Sequence, residues 1–249
     1  MYRYNNGVFL DVGKTSTSFI IRVLDNLVEE PTKEKLRHRG VKAMSPHYFY
    51  FTNIRNPYKY YVSHLSYSKS HQGQILKYLM AKQNGGKGRW QKTTLKEYID
   101  MIMVQRKTLP NNNHYNALGD AMSNMPDTMG MLTCHYILYL DADFLMKKRT
   151  EAEVEDWFER YYFSASNNYI ALNGDNLNQE LYQMCELKQD ELGLKSNWKE
   201  LWDNVTQPDK KEDKCLIDDY MSHYKDCLSS IDIIRQQERV LIDHYAFTI

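Results

Sequence analysis

Lys14 stands between Gly13 and the run Thr15-Ser16-Thr17-Ser18. A lysine beside a glycine and four small hydroxyl residues has the composition of a loop that holds an oxyanion. The glycine permits a tight turn, the hydroxyls donate hydrogen bonds, and the ammonium adds a full charge. A second group lies at Arg55, Pro57 and Ser63. Its guanidinium presents a planar fork that matches phosphate oxygens, and the Ser63 hydroxyl is a further donor. His38 and His47 fall between the two groups. An imidazole exchanges a proton near neutral pH without a large pKa shift, so either histidine can act as a general base.

Such groups need elements to position them. Val8, Phe9 and Leu10 form a short β-prone apolar run, and Phe19, Ile20, Val23 and Leu24 recur at helical spacing. This predicts a strand, a hydroxyl-rich loop and a helix over about residues 16–30, ended by Pro31 and Thr32. The loop then lies at the positive end of a helix dipole beside backbone N–H groups that lack helical partners, which favours a bound anion. A Walker A loop needs four residues between its first glycine and Gly-Lys-[Ser/Thr]. Here Gly7 and Gly13 enclose five, and the strand uses three of them. Residues 48–54, YFYFTNI, read as a buried strand, and Pro57 suits the first turn of a following helix. Arg55 then sits at the carboxyl end of a strand, where open α/β sheets bind ligands.

The order Lys14, Thr15, Ser16, Thr17, Ser18, Phe19, followed by Arg55, Pro57 and Ser63, resembles the two nucleotide motifs of sulfotransferases that use 3′-phosphoadenosine 5′-phosphosulfate (PAPS). It is nearest to the carbohydrate (Golgi-type and bacterial) branch. Ser16 departs from the glycine usual in that family. The resemblance implies an α/β, P-loop-like three-layer fold with a short central parallel sheet, a strand-loop-helix nucleotide site and many surrounding helices. It implies a single domain over residues 1–249 with a helical insert at roughly 73–165. Lys14, Thr15, Ser16, Thr17 and Ser18 would hold the 5′-phosphosulfate, Arg55 and Ser63 the 3′-phosphate, and Thr206 and Lys210 would add nucleotide contacts. The implied activity is sulfuryl transfer to a hydroxyl, a carbohydrate hydroxyl being favoured, with adenosine 3′,5′-bisphosphate as product and no metal required. Lys14 would stabilise charge on the departing phosphate oxygen, and a histidine between the motifs would be the base: His38 by position, then His47, with Glu34 a third option.

Other segments bear on rival readings. Residues 83–89 read as a surface turn with the option of a lid, and 93–105 as a helix. Residues 130–145, GMLTCHYILYLDADFL, contain an apolar run before Asp141, as in a Walker B strand, and Asp141-Ala142-Asp143, as in the metal motif of glycosyltransferases. Their apolar residues also share a broad helical face, and helix is the reading adopted, with a further helix at 150–163. A strand is expected at 168–172 before a helix starting near 181, then helices at 214–224 and 230–245 and a closing aromatic strand. Asp175 occupies a position where the family carries a different residue. The alternatives to sulfuryl transfer are a P-loop kinase using Lys14 and Asp141, a metal-dependent glycosyltransferase using Asp141 and Asp143, and a nucleotide-binding protein without catalysis.

Composition narrows the classes. Lys+Arg and Asp+Glu both number 32 in 249 residues, so no basic field recommends nucleic acid as a partner. The 20 tyrosines suit amphipathic packing, or contact with a sugar or base. Four cysteines without a CxxC pair indicate neither a zinc site nor a disulfide framework. No apolar run approaches the roughly 20 residues of a membrane span, and no signal sequence is evident, so a cytoplasmic protein is expected.

Overall fold

The computed structural model describes residues 1–13, 15–31, 34–35, 41, 44–69, 79, 92–105, 118–160, 168–207, 220–225 and 227–249, with 34–35 described as backbone only. Its elements are β1 (Tyr2–Tyr4), β2 (Gly7–Phe9), α1 (Thr17–Leu27), β3 (Glu34–Lys35), β4 (Phe49–Ile54), α2 (Pro57–Lys69), α3 (Leu95–Gln105), α4 (Leu118–Asn124), α5 (Met131–Leu140), α6 (Glu151–Phe158), β5 (Tyr169–Asn173), α7 (Leu177–Leu187), α8 (Gln189–Leu192), α9 (Trp198–Thr206), α10 (Leu228–Gln237) and α11 (Arg239–Tyr245). They group into two compact units. The first comprises Met1–Arg55, Tyr139–Ala142 and Asp156–Leu216; the second comprises Asn56–Leu138, Asp143–Glu155 and Ile217–Ile249.

The first unit is built on a five-stranded sheet of order β3-β1-β2-β4-β5. β2, β4 and β5 run parallel, which is the expected parallel sheet. β1 and β3 add an antiparallel edge that the sequence did not announce. The cause is the Asn5-Asn6 pair. Asn5 takes φ 43, a left-handed value that asparagine tolerates better than most residues, and the chain reverses within two residues. Tyr2 and Tyr4 thereby pair with Phe9 and Gly7. β4 is the middle one of the three parallel strands, and all six of its residues are buried, as its near-continuous apolar run requires.

α1 covers the sheet because Ile20, Val23, Leu24 and Leu27 fall at i, i+3, i+4 and i+7 and form one buried stripe. The stripe packs in a cluster with Phe9, Phe51, Leu181, Trp198 and Trp202, and the Phe9 and Phe51 rings stack at 5.2 Å. Each fully buried aliphatic side chain there contributes about 1.5–3 kcal/mol. α1 stops where Val28 turns extended, its N–H still reaching the Leu24 carbonyl at 3.0 Å.

The second unit is helical. α2, α3, α5 and the 3₁₀ turn Ala142–Met146 occupy the segments expected to be helix, so residues 131–140 do not form a Walker B strand. Among the described residues of this unit, several tyrosines are buried packing groups whose hydroxyls are bonded. Tyr60 pairs with His135 Nδ1 at 2.8 Å, Tyr98 with His64 Nδ1, and Tyr224 donates to the Tyr58 carbonyl at 2.9 Å. The helix expected over 230–245 is broken in two at Glu238, which has φ −110 and ψ 22. Fully buried there, the Glu238 carboxylate accepts from the N–H groups of Leu132 and Thr133 at 2.9 Å, the Thr133 hydroxyl at 2.6 Å and the Tyr61 hydroxyl at 2.7 Å. It thus caps the amino end of α5 from a distant part of the chain. Of the helix expected at 214–224, residues 214–219 lie outside the described residues, and Tyr220–Tyr224 is a 3₁₀ turn. No strand follows α11. Among the described residues no helix is long and apolar enough to cross a membrane.

Candidate functional site

Because β2, β4 and β5 are parallel, their carboxyl ends share one edge of the sheet. The segment after β2, Arg55 after β4 and Gly174-Asp175-Asn176 after β5 all leave from that edge. The segment after β2 is held by side chains. The Leu10 N–H donates to the Phe51 carbonyl at 2.8 Å, and the buried Thr52 hydroxyl donates to the Leu10 carbonyl at 2.8 Å. The Thr15 hydroxyl turns inward to the Val12 carbonyl at 2.7 Å, and Thr17 donates to the buried carboxylate of Asp11 at 2.7 Å. Asn53, fully buried in β4, donates its side-chain amide to the Thr15 carbonyl.

These ties leave Ser16 as the residue that must redirect the chain into α1. It does so at φ 66 and ψ 26, in the left-handed region that glycine enters without cost. Its side chain makes no capping hydrogen bond, and the first turn of α1 carries no acidic residue. Ser16 and Ser18 are exposed, while Thr15 is buried. The result is a helix amino terminus open to solvent and reached through a strained backbone, with no acidic residue in its own first turn and the Asp11 carboxylate engaged by the Thr17 hydroxyl on the inner side. A bound anion is the species it favours.

Arg55 stands half-buried at the neighbouring strand end. Gly174 explains how β5 departs so close to it. A Cβ on Gly174 would lie 2.6 Å from the Ile54 carbonyl oxygen, 3.2 Å from Asn53 Oδ1 and 3.4 Å from Arg55 Cα. Beyond it, Asn173 caps the turn by accepting from the Asp175 N–H at 3.0 Å, and its own N–H donates to Glu180 at 2.6 Å. Partial burial pushes the Glu180 carboxyl above its ordinary value, against the pull of that hydrogen bond.

The structure therefore brings Thr15, Ser16, Thr17, Ser18 and Arg55 to one sheet edge. Lys14, His38 and Lys210 lie outside the described residues. Ser63 is buried within α2, in the second unit. His47 is exposed in the turn before β4, at the amino end of the strand whose carboxyl end carries Arg55. At roughly 3.3 Å per residue, the six residues of β4 separate the two by about 20 Å. Thr206 is not in a loop: it ends α9, and its hydroxyl donates to the Trp202 carbonyl at 2.8 Å. Asp141 and Asp143 follow a helix rather than a strand, and Asp141 accepts from Trp157 Nε1 at 3.1 Å.

Sequence reasoning missed Asp11, Asn53 and Gly174. The first two carried a signal. Each is a polar residue inside an apolar run, VFLDV and YFYFTNI, where burial demands a partner. No protein-family model, curated protein or solved structure matches the chain.

Proposed function

We propose that the protein is a PAPS-dependent sulfotransferase with a P-loop-like three-layer fold, acting on a hydroxyl acceptor of the carbohydrate class. One observation carries the reading: Ser16 adopts a left-handed conformation where the resembled motif carries glycine, at the head of α1 and on the sheet edge that also bears Arg55. A serine retained in that conformation costs on the order of 1 kcal/mol, and strain of this kind collects at ligand sites.

In this reading PAPS, when bound, supplies the sulfuryl group. The backbone N–H groups of Thr17 and Ser18 and the Ser18 hydroxyl hold the 5′-phosphosulfate. Thr15 and Thr17 keep the loop in shape through Val12 and Asp11. Lys14 offsets charge on the departing phosphate oxygen. Arg55 fixes the 3′-phosphate by a forked pair of hydrogen bonds, and the sequence resemblance adds Ser63 to that role. His38 takes the acceptor proton. These tasks are positioning and electrostatics, which dominate catalysis of in-line transfer of this kind.

The test is a thermal-shift panel with adenosine 3′,5′-bisphosphate, ATP with Mg²⁺ and UDP with Mn²⁺. A ligand at 100 times its Kd stabilises the folded state by about 2.7 kcal/mol. Stabilisation by the bisphosphate alone, together with turnover of PAPS against a mixed hydroxyl acceptor library, is the expected result. Stabilisation only by ATP with Mg²⁺ would replace the reading with a kinase, and only by UDP with Mn²⁺ with a glycosyltransferase.

A further inference from the structure

The inner face of α7 is ordinary: Leu177, Leu181, Met184 and Cys185 are buried. Its outer face is not. A solvent-facing helical stripe is usually rich in lysine and glutamate, yet α7, LNQELYQMCEL, contains no lysine or arginine and presents carboxamides beside an aromatic ring. Asn178, Gln179, Tyr182, Gln183 and Glu186 line one side of a groove of about 400 Å³, and Trp202 of α9 lines the other. The carboxamides are exposed, Tyr182 is half-buried, and Trp202 forms the floor with 7% of its surface accessible.

Tyr182 meets Trp202 edge to face, with centroids 5.0 Å apart, and Trp198 lies 5.2 Å from Tyr182. Tyr182 and Trp202, fixed against one another and backed by the buried Trp198, give a rigid apolar floor at little cost in side-chain entropy on binding. The one carboxylate of the groove is neutralised, because Lys199 Nζ lies 2.5 Å from Glu186 Oε1. The groove thus carries no net charge, is roofless, and has three carboxamides, Asn178, Gln179 and Gln183, that each offer donors and an acceptor side by side. A phosphate or sulfate would find no unpaired cation among these lining groups. A ring carrying adjacent hydroxyls on its rim and C–H groups on its face finds a partner for each.

We propose that this groove binds a neutral mono- or disaccharide, whose hydroxyls bond to Asn178, Gln179 and Gln183 and whose apolar face rests on Tyr182 and Trp202. The volume lies near the lower end of those of small-molecule sites, as befits a short saccharide. The site is separate from the sheet-edge loop and stands whether or not that loop binds PAPS.

The test is saturation-transfer-difference NMR on the full chain with cellobiose, maltose, lactose and N,N′-diacetylchitobiose, and with a sulfated heparin disaccharide as the acidic control. Saturable binding of at least one neutral disaccharide is expected. The Gln179→Ala/Gln183→Ala double variant, altered only at exposed positions, should weaken it about tenfold or more while leaving the circular dichroism spectrum unchanged. Tyr182→Ala should do the same through the floor. The proposal is overturned if none of the four neutral sugars saturates, if binding is indifferent to the double variant, or if the sulfated disaccharide binds more tightly. Because the readout is binding without PAPS, its failure leaves the sulfotransferase reading untouched, and the reverse also holds.

Discussion

The side-chain amide of Asn53 donates to the backbone carbonyl of Thr15, so the middle one of the three parallel strands directly fixes the loop that enters α1. Asn53 is fully buried, and its loss would leave the Thr15 carbonyl to seek another donor. Asn53→Ala should destabilise the fold by about 1–3 kcal/mol, the range for breaking a buried hydrogen bond by removing one partner. It should also weaken adenosine 3′,5′-bisphosphate binding beyond what the lost stability explains. Urea denaturation with and without the bisphosphate measures both, and an unchanged affinity would show that Asn53 braces the fold without shaping the loop.

Ser16 makes the opposite prediction. Its φ of 66 is unfavourable for a residue with a Cβ and free for glycine. Ser16→Gly should therefore stabilise the protein by about 0.5–1 kcal/mol, after subtracting the extra freedom glycine gives the unfolded chain. Ser16→Val, β-branched and poorly suited to left-handed backbone, should destabilise it. Melting temperatures of the two variants order them on either side of the wild type if the strain is present.

Glu238 gives a pH test. Burial pushes its carboxyl above the ordinary glutamate value, while the four donated hydrogen bonds pull the other way. A carboxyl with a raised folded-state pKa binds its proton more tightly when folded. Its contribution to stability is thus greatest below the ordinary value near 4.5 and is lost as pH rises through the raised folded value. Glu238→Gln removes that titration. The stability of wild type relative to Glu238→Gln should fall as pH is raised through this window, measured by urea denaturation at a series of pH values. A flat difference would show that the carboxyl is not raised. Gly130 bears on the same contact: a Cβ there would fall 2.1 Å from Glu238 Oε1, so Gly130→Ala should displace the carboxylate and lower the melting temperature.

The parts of the fold legible in the sequence are those that local pattern decides. The stripe Ile20, Val23, Leu24, Leu27 could only be a helix packed on one side, and YFYFTNI could only be a strand covered on both. What local pattern cannot show is pairing across long separations. Nothing near Glu238 says that it caps a helix more than 100 residues earlier, and nothing near Gly174 says that Ile54 passes close enough to forbid a side chain. The candidate site was legible in the same proportion. Hydroxyl residues and Arg55 stand out by type, whereas Asp11 and Asn53, which hold the loop, look like interruptions of apolar runs until the sheet aligns them. The single N-terminal hairpin was missed for a different reason, since Asn5 achieves with an amide side chain what a glycine would have advertised.

Gly174 and Arg55 together test the sheet edge. With the Ile54 carbonyl 2.6 Å from the place of a Cβ and Arg55 Cα at 3.4 Å, Gly174→Ala must move backbone rather than a flexible side-chain end. It should lower stability by about 1–3 kcal/mol, as overpacking does, and should shift Arg55 with it. Arg55→Ala instead removes the guanidinium while leaving the strand intact. In the proposed site Arg55 supplies the charged fork to the 3′-phosphate, so its loss should weaken adenosine 3′,5′-bisphosphate by about 10- to 100-fold, the worth of a charge-assisted hydrogen bond or pair. AMP, which lacks the 3′-phosphate, should bind wild type and variant alike. Arg55→Lys should recover only part of the lost affinity, because a point charge cannot reproduce the fork. Calorimetric titration of both nucleotides into the three proteins separates the outcomes. An equal loss for AMP and the bisphosphate would move Arg55 to the 5′ side of the nucleotide or to a purely structural role. A loss confined to the bisphosphate would identify the group that lets this sheet edge tell a 3′-phosphorylated nucleotide from any other.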